Sequence, residues 1–524
     1  MSAGGRVARS GGLEFDGRMR KAGFTRRFVL AALGGILTLP CAGVAGAPEL
    51  SPRPRIRGGR DVQQAARDSI EALVARSRLT GDVACVVADA ATGDVLEGHH
   101  EDTALPPASV GKILTTLYAL DRLGPEFRFR TRLLAAGPVK GGILEGDLIL
   151  AGGGDPTLDT EALAEMAAGL KATGLREVRG RFLVHDGALP FIRSIDPSQP
   201  PQLGYSPAVS GIALNYNRVH FEWKREGADY GADYNVTMDA RTARFRPDVQ
   251  MARMAVVDRK APVYTYSEAE RAENWTVARA ALGKGGARWL PVRKPALYAG
   301  DVFATLARSQ GIVLEPAEVI RDLPPGVRLL VKHDSESLRE ILRGMLKYSN
   351  NLTAEMVGLT ATAARGAVPG SLRDSADEMN RWVATRYGAA TVRMADHSGL
   401  SGESRATVRD LLRVLLAARQ RGELTPLLKE IHVRDDRGRR IKDSPLTVKA
   451  KTGTLNFVSG LAGFVTTVGG AELAFAILSA DLEARARIDP DDGEVPKGVR
   501  LWLRRARGLQ QRFIRRWGTV FDAS

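Results

Sequence analysis

The strongest limit on what this chain can fold into is a change of texture near residue 128 that reverses near residue 325. Outside those points helix-period and strand-period segments alternate. A helical stripe runs over 62–78, with Ile70, Leu73 and Val74 on its apolar side, and a hairpin pattern follows over 82–98. Between 128 and 325 short β-like runs dominate: GDLILAGGG at 146–154, GRFLVHDG at 180–187 and NRVHFEW at 217–223, set apart by Gly, Pro and Asp turns. One helix interrupts them at 157–174, acidic at its start and stopped by Gly174. Helical patterns return over 335–365, 371–387 and 404–421, and strand-like runs at 446–455, 458–468 and 472–480 follow at hairpin spacing. This predicts an α+β domain, built from 60–127 and 326–505, interrupted by a β-rich insertion at 128–325. A leader at 1–47 and a basic helix or tail at 506–524 complete the chain.

A chain of 524 residues has room for two or three domains. Its formal charge of +15 is concentrated at the ends. Residues 1–47 carry five net positive charges and residues 496–517 carry eight, which leaves two for everything between. A nucleic-acid binder needs a basic face on its folded core, so no nucleic-acid partner is expected. The stretch TRRFVLAALGGILTLP sets Arg26–Arg27 before an apolar run, and Ala45-Gly46-Ala47 offers small residues for cleavage. The apolar run is short for a membrane span and holds Pro40, so it reads as an export signal. The twin arginine fits the Tat pattern, with Sec export as the alternative and Met19 as an alternative start. Cys41 and Cys85 are the two cysteines; with Cys41 lost in the leader no intramolecular disulfide can form, and Cys85 reads as a small buried hydrophobe.

Ser109 and Lys112 form the chain's one Ser-x-x-Lys, at the head of a helical pattern. On a helix, residues i and i+3 share a face, about 5–6 Å apart at Cβ, so the lysine can reach the serine hydroxyl. It acts as a base only when neutral, which desolvation or a second cation favours. Alone, the pair reads as a capping serine beside a solvated lysine. Ser349-Asn350-Asn351 is the one Ser-x-Asn, and Lys451-Thr452-Gly453, followed by Thr454, is the one Lys-Thr-Gly. Lys451 supplies the second cation, and Gly453 lets a ligand approach the backbone closely. Each of these also has a bland reading, a helix cap for Ser349 and a strand-edge charge for Lys451. The three occur once each, in this order, and match the motif set of penicillin-binding proteins and class A β-lactamases.

From about residue 60 to 505 the chain resembles the class C low-molecular-mass penicillin-binding proteins, the D-alanyl-D-alanine carboxypeptidase/endopeptidase family. LPPASVGK at 105–112, LAGGGDPTL at 150–158, SNNLTAEM at 349–356, ADHSGLS at 395–401 and AKTGTL at 450–455 carry the likeness, with the gap of 240 residues between the first two motifs. The resemblance implies a penicillin-binding-protein or serine β-lactamase-like transpeptidase domain, an antiparallel sheet with flanking helices, whose insertion forms two extra domains. It implies a serine-type D-Ala-D-Ala carboxypeptidase with endopeptidase activity, exported to the periplasm of a Gram-negative bacterium. Its partners would be peptidoglycan stem peptides, with β-lactams as inhibitors, and it needs no cofactor or metal. Ser109 would be the nucleophile and Lys112 its base; Ser349, tuned by Lys451, would pass a proton to the leaving amine. Asn351 would orient Lys112 and the substrate, the N–H groups of Ser109 and Thr454 would hold the oxyanion, and Lys451, Thr452, Gly453 and Thr454 would line the substrate. Asn350 and His397 depart from the family's usual residues.

Other signals point elsewhere or nowhere. Gly152-Gly153-Gly154-Asp155-Pro156-Thr157 lacks the lysine of a phosphate-binding loop and reads as a turn. The seven histidines show no paired metal spacing, which argues against a zinc peptidase. Val499, Trp502, Leu503, Ala506, Leu509 and Phe513 share one helical face, to be packed on the sheet, with a basic outer face able to touch anionic lipid as a peripheral membrane contact. A β-lactamase or esterase of the same fold, and a non-catalytic wall-binding or penicillin-sensing protein, are the competing readings.

Overall fold

The computed structural model describes residues 68–227, 233–366, 369–489 and 494–522. The expected leader, with Arg26–Arg27 and Cys41, and the first part of the helix expected at 62–78 lie outside the described residues. In chain order the flanking part opens with α1 (Ile70–Ser77), the hairpin β1 (Asp82–Asp89) and β2 (Val95–His99), a single 3-10 turn at Ala108–Gly111, and α2 (Lys112–Leu123). The inserted part follows with β3 (Arg130–Ala136), β4 (Asp147–Ala151), α3 (Thr160–Ala172), β5 (Phe182–His185), β6 (Arg218–Arg225), β7 (Tyr234–Asp239), β8 (Ala252–Val257), β9 (Tyr264–Glu268), β10 (Glu273–Ala278), β11 (Gly285–Pro291), α4 (Pro295–Ser309), β12 (Glu318–Ile320) and β13 (Arg328–Asp334). The chain returns through α5 (Leu338–Tyr348), α6 (Asn351–Ala363), α7 (Leu372–Tyr387), α8 (Val408–Arg421), β14 (Lys429–Glu430), β15 (Thr447–Leu455), β16 (Val458–Thr466), β17 (Glu472–Ala480) and α9 (Val499–Val520).

One antiparallel sheet in the order β14-β15-β16-β17-β1-β2 organises the flanking part. Its central strands read as unbroken apolar runs because both faces are covered. The two-residue period of a strand divides those runs between two cores. Ala84, Val86 and Ala88 of β1 and Ala474, Ala476 and Leu478 of β17 join the core that holds Val110, Ile113 and Leu117. Val83, Cys85 and Val87, with Leu473, Phe475 and Ile477, face the other way, onto Leu509, Phe513 and Trp517 of α9. Cys85 is thus a buried hydrophobe, and burial raises its thiol pKa.

Helix α9 buries its apolar face: Val499, Trp502, Ala506, Leu509, Phe513 and Trp517 follow at three- and four-residue steps with Ile514 beside them, the first three against Phe457 and the rest on the sheet. The boundary expected at 505/506 therefore falls inside a single helix, whose outer side is mainly charged, with Leu501 exposed on it. No helix among the described residues is long and apolar enough to cross a membrane.

Strand pairing also moves the insertion's end. The restart of the flanking part was expected at 326, but β13 pairs with β3 in the register Arg130↔Asp334 and closes the five-stranded sheet β12-β5-β4-β3-β13. The two chain crossings are tied where the sheet ends: Ser335 N–H donates to Phe129 O at 2.9 Å, and Phe129 N–H to Ser335 Oγ at 3.0 Å. Two three-stranded sheets, β7-β6-β11 and β8-β10-β9, share one apolar cluster with that sheet, from Leu148 through Phe221 to Trp275. A separate cluster joins Leu189, Ile195 and Val209 of the insert to Leu352 and Met356 of α6, which brings an inserted loop to the head of that helix.

Candidate active site

Ser109 lies in the 3-10 turn that runs into α2, and no side chain caps that helix, so Ser109 is not the cap its position suggested. The preceding Ala108 is left-handed, at φ 47°, a conformation costly for a residue with a Cβ. The turn is pinned by close backbone approach from two sides. A Cβ on Gly399 would lie 2.0 Å from Ala108 O, and one on Gly453 would lie 2.7 Å from Pro107 O and 3.1 Å from Ser109 N. Only glycine admits that spacing, and Gly453 thereby seats β15 directly against the serine's backbone.

Lys112 is fully buried, with Nζ 2.9 Å from Ser109 Oγ, 2.7 Å from Asn351 Oδ1 and 2.8 Å from Ser398 O. Asn351 Nδ2 donates to the carbonyl of Tyr205 at 2.9 Å, which turns Oδ1 toward the lysine. Two of the three neighbours of Nζ can therefore only accept. A neutral amine has two N–H groups and one lone pair, so the acceptors take both N–H groups and the lone pair is left for the Ser109 hydroxyl. Burial pulls the Lys112 pKa down to about 8, against the opposing pull of Asp396 and Glu355.

Lys451 is also buried, and its Nζ donates to Ser349 Oγ at 2.9 Å and to Thr452 O at 2.6 Å. Burial, then the charges of Lys112 and Lys429, hold its pKa well below the usual lysine value. Within the helical pattern of 335–365, α5 stops at Ser349 in a left-handed turn at φ 59°, where the Ser-Asn-Asn motif is expected to enter a helix. Asn350 then caps α6, its Oδ1 accepting Thr353 N–H at 2.9 Å. Asp and Asn cap equally well, which explains why Asn350 can stand where Asp is usual.

Beneath the lysine is a buried frame that sequence reasoning missed. Glu355 accepts the N–H groups of His397 and Ser398, at 2.9 and 2.8 Å, and Asp396 accepts those of Gly399 and Ser401. These four bonds hold the loop whose Ser398 carbonyl meets Lys112. Burial, with Asp396 as a neighbour, raises the Glu355 pKa to about 8, and burial likewise raises that of Asp396. Glu355 was detectable as the i+4 neighbour of Asn351 on one helix face. Tyr205, brought in by the insert, carried no local signal. His397 is buried and held neutral by desolvation, its pKa down to about 3, with Nε2 2.8 Å from Ser375 Oγ. Its ring lies over Gly358, where a Cβ would come within 2.2 Å, so His397 packs the frame and does not face the serine.

β14 pairs with only the first half of β15, at Lys429↔Ala450 and Glu430↔Lys449. Ile431 N–H donates to Val448 O, so by antiparallel alternation Thr452 and Thr454 also turn their backbone groups toward that edge, where β14 no longer reaches. An extended peptide can add there as a strand. Side chains alternate as well: Lys451 and Gly453 face the Ser109 turn, while Thr452 and Thr454 line a groove of about 700 Å³ against α9. All eight sequence-predicted site residues thus meet along one strand edge and the two turns beside it.

Comparison with known proteins identifies the family and the fold. A D-alanyl-D-alanine carboxypeptidase of Actinomadura sp. (strain R39) is 29% identical over 487 residues, covering 86% of each chain. The D-alanyl-D-alanine carboxypeptidase DacB of Haemophilus influenzae is 25% identical over 427 residues, covering 76% of this chain and 86% of that one. The solved structure of penicillin binding protein 4 (dacB) from Haemophilus influenzae superposes with a TM-score of 0.69 at 21% identity, over 85% of this chain and 99% of that one, so the α+β penicillin-binding fold is shared. Residues 66–495, spanning both flanking segments and the insert, match one family throughout, and the chain belongs to it: the D-Ala-D-Ala carboxypeptidase 3 (S13) family.

Proposed function

We propose that this D-Ala-D-Ala peptidase cuts the terminal D-alanyl bond of peptidoglycan stem peptides through an acyl-enzyme on Ser109. The observation that carries the assignment is the saturation of Lys112, whose two acceptor neighbours leave its lone pair for the Ser109 hydroxyl. Ser109 Oγ attacks the D-alanyl carbonyl as its proton passes to Lys112 Nζ. The N–H groups of Ser109 and Thr454 hold the oxyanion, and losing one such donor costs about 10²–10³ in rate. Ser349, backed by Lys451, hands a proton to the leaving amine as the C–N bond breaks. Asn351 orients the base, and Thr452 and Thr454 meet the substrate's terminal carboxylate. Water then deacylates Ser109. A β-lactam acylates the same serine. A cross-linked peptide, joined through D-Ala and diaminopimelate, enters by the same open edge, which adds endopeptidase action.

The twin-arginine leader supports export across the cytoplasmic membrane, to the side where peptidoglycan lies, and we infer the periplasm of a Gram-negative cell as the compartment. Labelled penicillin followed by gel fluorography tests the serine: the native chain should label and Ser109→Ala should not, and a labelled Ser109→Ala protein refutes the assignment. Mass analysis of muropeptides after digestion reads the bond. Loss of one alanine marks carboxypeptidase action, release of monomers from cross-linked dimers marks endopeptidase action, and intact substrate refutes both. Fast, complete turnover of nitrocefin would instead favour a β-lactamase.

A further inference from the structure

The groove behind β15 is charged in a way the acylation chemistry does not use. Arg500, Arg504 and Arg507 stand at four- and three-residue steps along α9, which places them on one stripe of the helix, and all three line the groove. None of the three forms an ion pair among the described residues. The facing wall adds Lys429, Arg434 and Arg437. Two of its three acids are engaged, Asp435 accepting from Arg439 at 2.9 Å and Asp436 from Arg512 at 2.9 Å and Arg515 at 2.7 Å, while Glu430 is exposed beside His432, so cations still outnumber free acids. Like charges lining one groove repel, and an anion entering it relieves that repulsion. The stripe also reaches the site, since Arg507 Nη2 lies 3.5 Å from Thr454 Oγ1, a long contact that leaves the rest of the guanidinium fork for another acceptor.

We infer that this groove is the subsite for the leaving side of the substrate, taking an acidic peptide that continues past the scissile bond. The inference rests on the proposed mechanism, in which Ser109 is the nucleophile and Thr452 and Thr454 meet the terminal carboxylate, because that sets the leaving side of the bond at this end of β15. The carboxylate nearest the bond meets Thr454 and Arg507, and a second acidic group, further along, meets Arg504 and Arg500. At about 700 Å³ the groove is far larger than one terminal carboxylate needs and suits a peptide fragment. A cross-linked stem peptide, whose leaving half carries more than one carboxylate, has that chemistry; a single departing alanine fills only the rim.

The test measures the ratio of KM for a cross-linked muropeptide dimer to KM for a short acyl-D-Ala-D-Ala peptide. In the double variant Arg500→Ala/Arg504→Ala this ratio should rise about five- to tenfold. In Arg504→Glu it should rise further, and in Arg504→Lys it should stay near the native value. Arg505→Ala serves as control, because Arg505 bonds Arg78 O at 3.0 Å outside the groove. Raising salt to 0.5 M should raise the native ratio and leave that of the double variant nearly unchanged. A native-like ratio in folded Arg504→Glu overturns the inference. So does loss of binding to anionic lipid vesicles with no change in the ratio, since the stripe then serves a membrane. If labelled penicillin fails to acylate Ser109 in the native chain, the nucleophile assignment fails first and the subsite falls with it.

Discussion

Acylation of Ser109 should follow the deprotonation of Lys112, and the pH at which it does so can be worked from the structure. Burial brings the lysine to about 8, so at pH 7 roughly a tenth of the molecules hold the neutral base. A solvated lysine near 10.5 would be neutral in only about three molecules in ten thousand at that pH, so burial supplies about a 300-fold gain in competent base. The second-order rate constant for acylation by a labelled penicillin, measured by stopped flow from pH 5.5 to 9.5, should climb about tenfold per pH unit and level off near 8. Asp396 holds the lysine's proton on, so Asp396→Asn should move the midpoint to lower pH. The same shift bears on stability. Unfolded, Lys112 keeps its proton to about 10.5; folded, it loses it near 8. The native state therefore binds fewer protons between those values, and this group's contribution to stability rises with pH across that window. A flat acylation profile, or a midpoint that moves to higher pH in Asp396→Asn, would refute Lys112 as the base.

Asn351→Ala removes one acceptor of Lys112 and the link to Tyr205 O; acylation should fall about 10²-fold with little change in thermal midpoint, read by penicillin labelling and differential scanning calorimetry. Glu355→Gln sets an amide NH₂ against one of two backbone N–H groups, and should cost about 1–3 kcal/mol, seen as a lower urea midpoint with the m-value unchanged. Ser349→Ala should slow amide hydrolysis more than β-lactam acylation, because the opened lactam nitrogen stays tethered; equal losses on both substrates would remove Ser349 from the proton path. Trp517→Ala empties a fully buried site between α9 and the sheet and leaves Glu97 without the indole donor, at about 3–5 kcal/mol, read as a fall in thermal midpoint.

Much of the reactive chemistry was legible in the chain because it is local. Ser109 and Lys112 are three residues apart at a helix start, and Lys451 to Thr454 lie on one strand. Other features were not. The left-handed conformation of Ser349 was hidden because no glycine announces the turn that stops α5, although Ser349 itself reads as a helix cap. The end of the insertion was misplaced by a few residues because β13 belongs to whichever strand it pairs with, and its partner β3 lies about 200 residues earlier.

Taken by itself, the sequence determined the residue types, their order and the α+β plan with an insertion, since periodicity and motif spacing report on neighbours along the chain. Only the tertiary structure decided what each residue meets. In the proposed mechanism Lys112 can act as a base because Asn351, 239 residues away, and Ser398, 286 residues away, accept from its two N–H groups. Tyr205 of the insert orients that asparagine, and Glu355 and Asp396 hold the loop that carries the Ser398 carbonyl. A charged stripe that reads as a terminal tail becomes one wall of a groove at Thr454. Burial and hydrogen-bond saturation are properties of a packed neighbourhood, and they are what make a serine and a lysine three residues apart suited to the proposed roles of nucleophile and base.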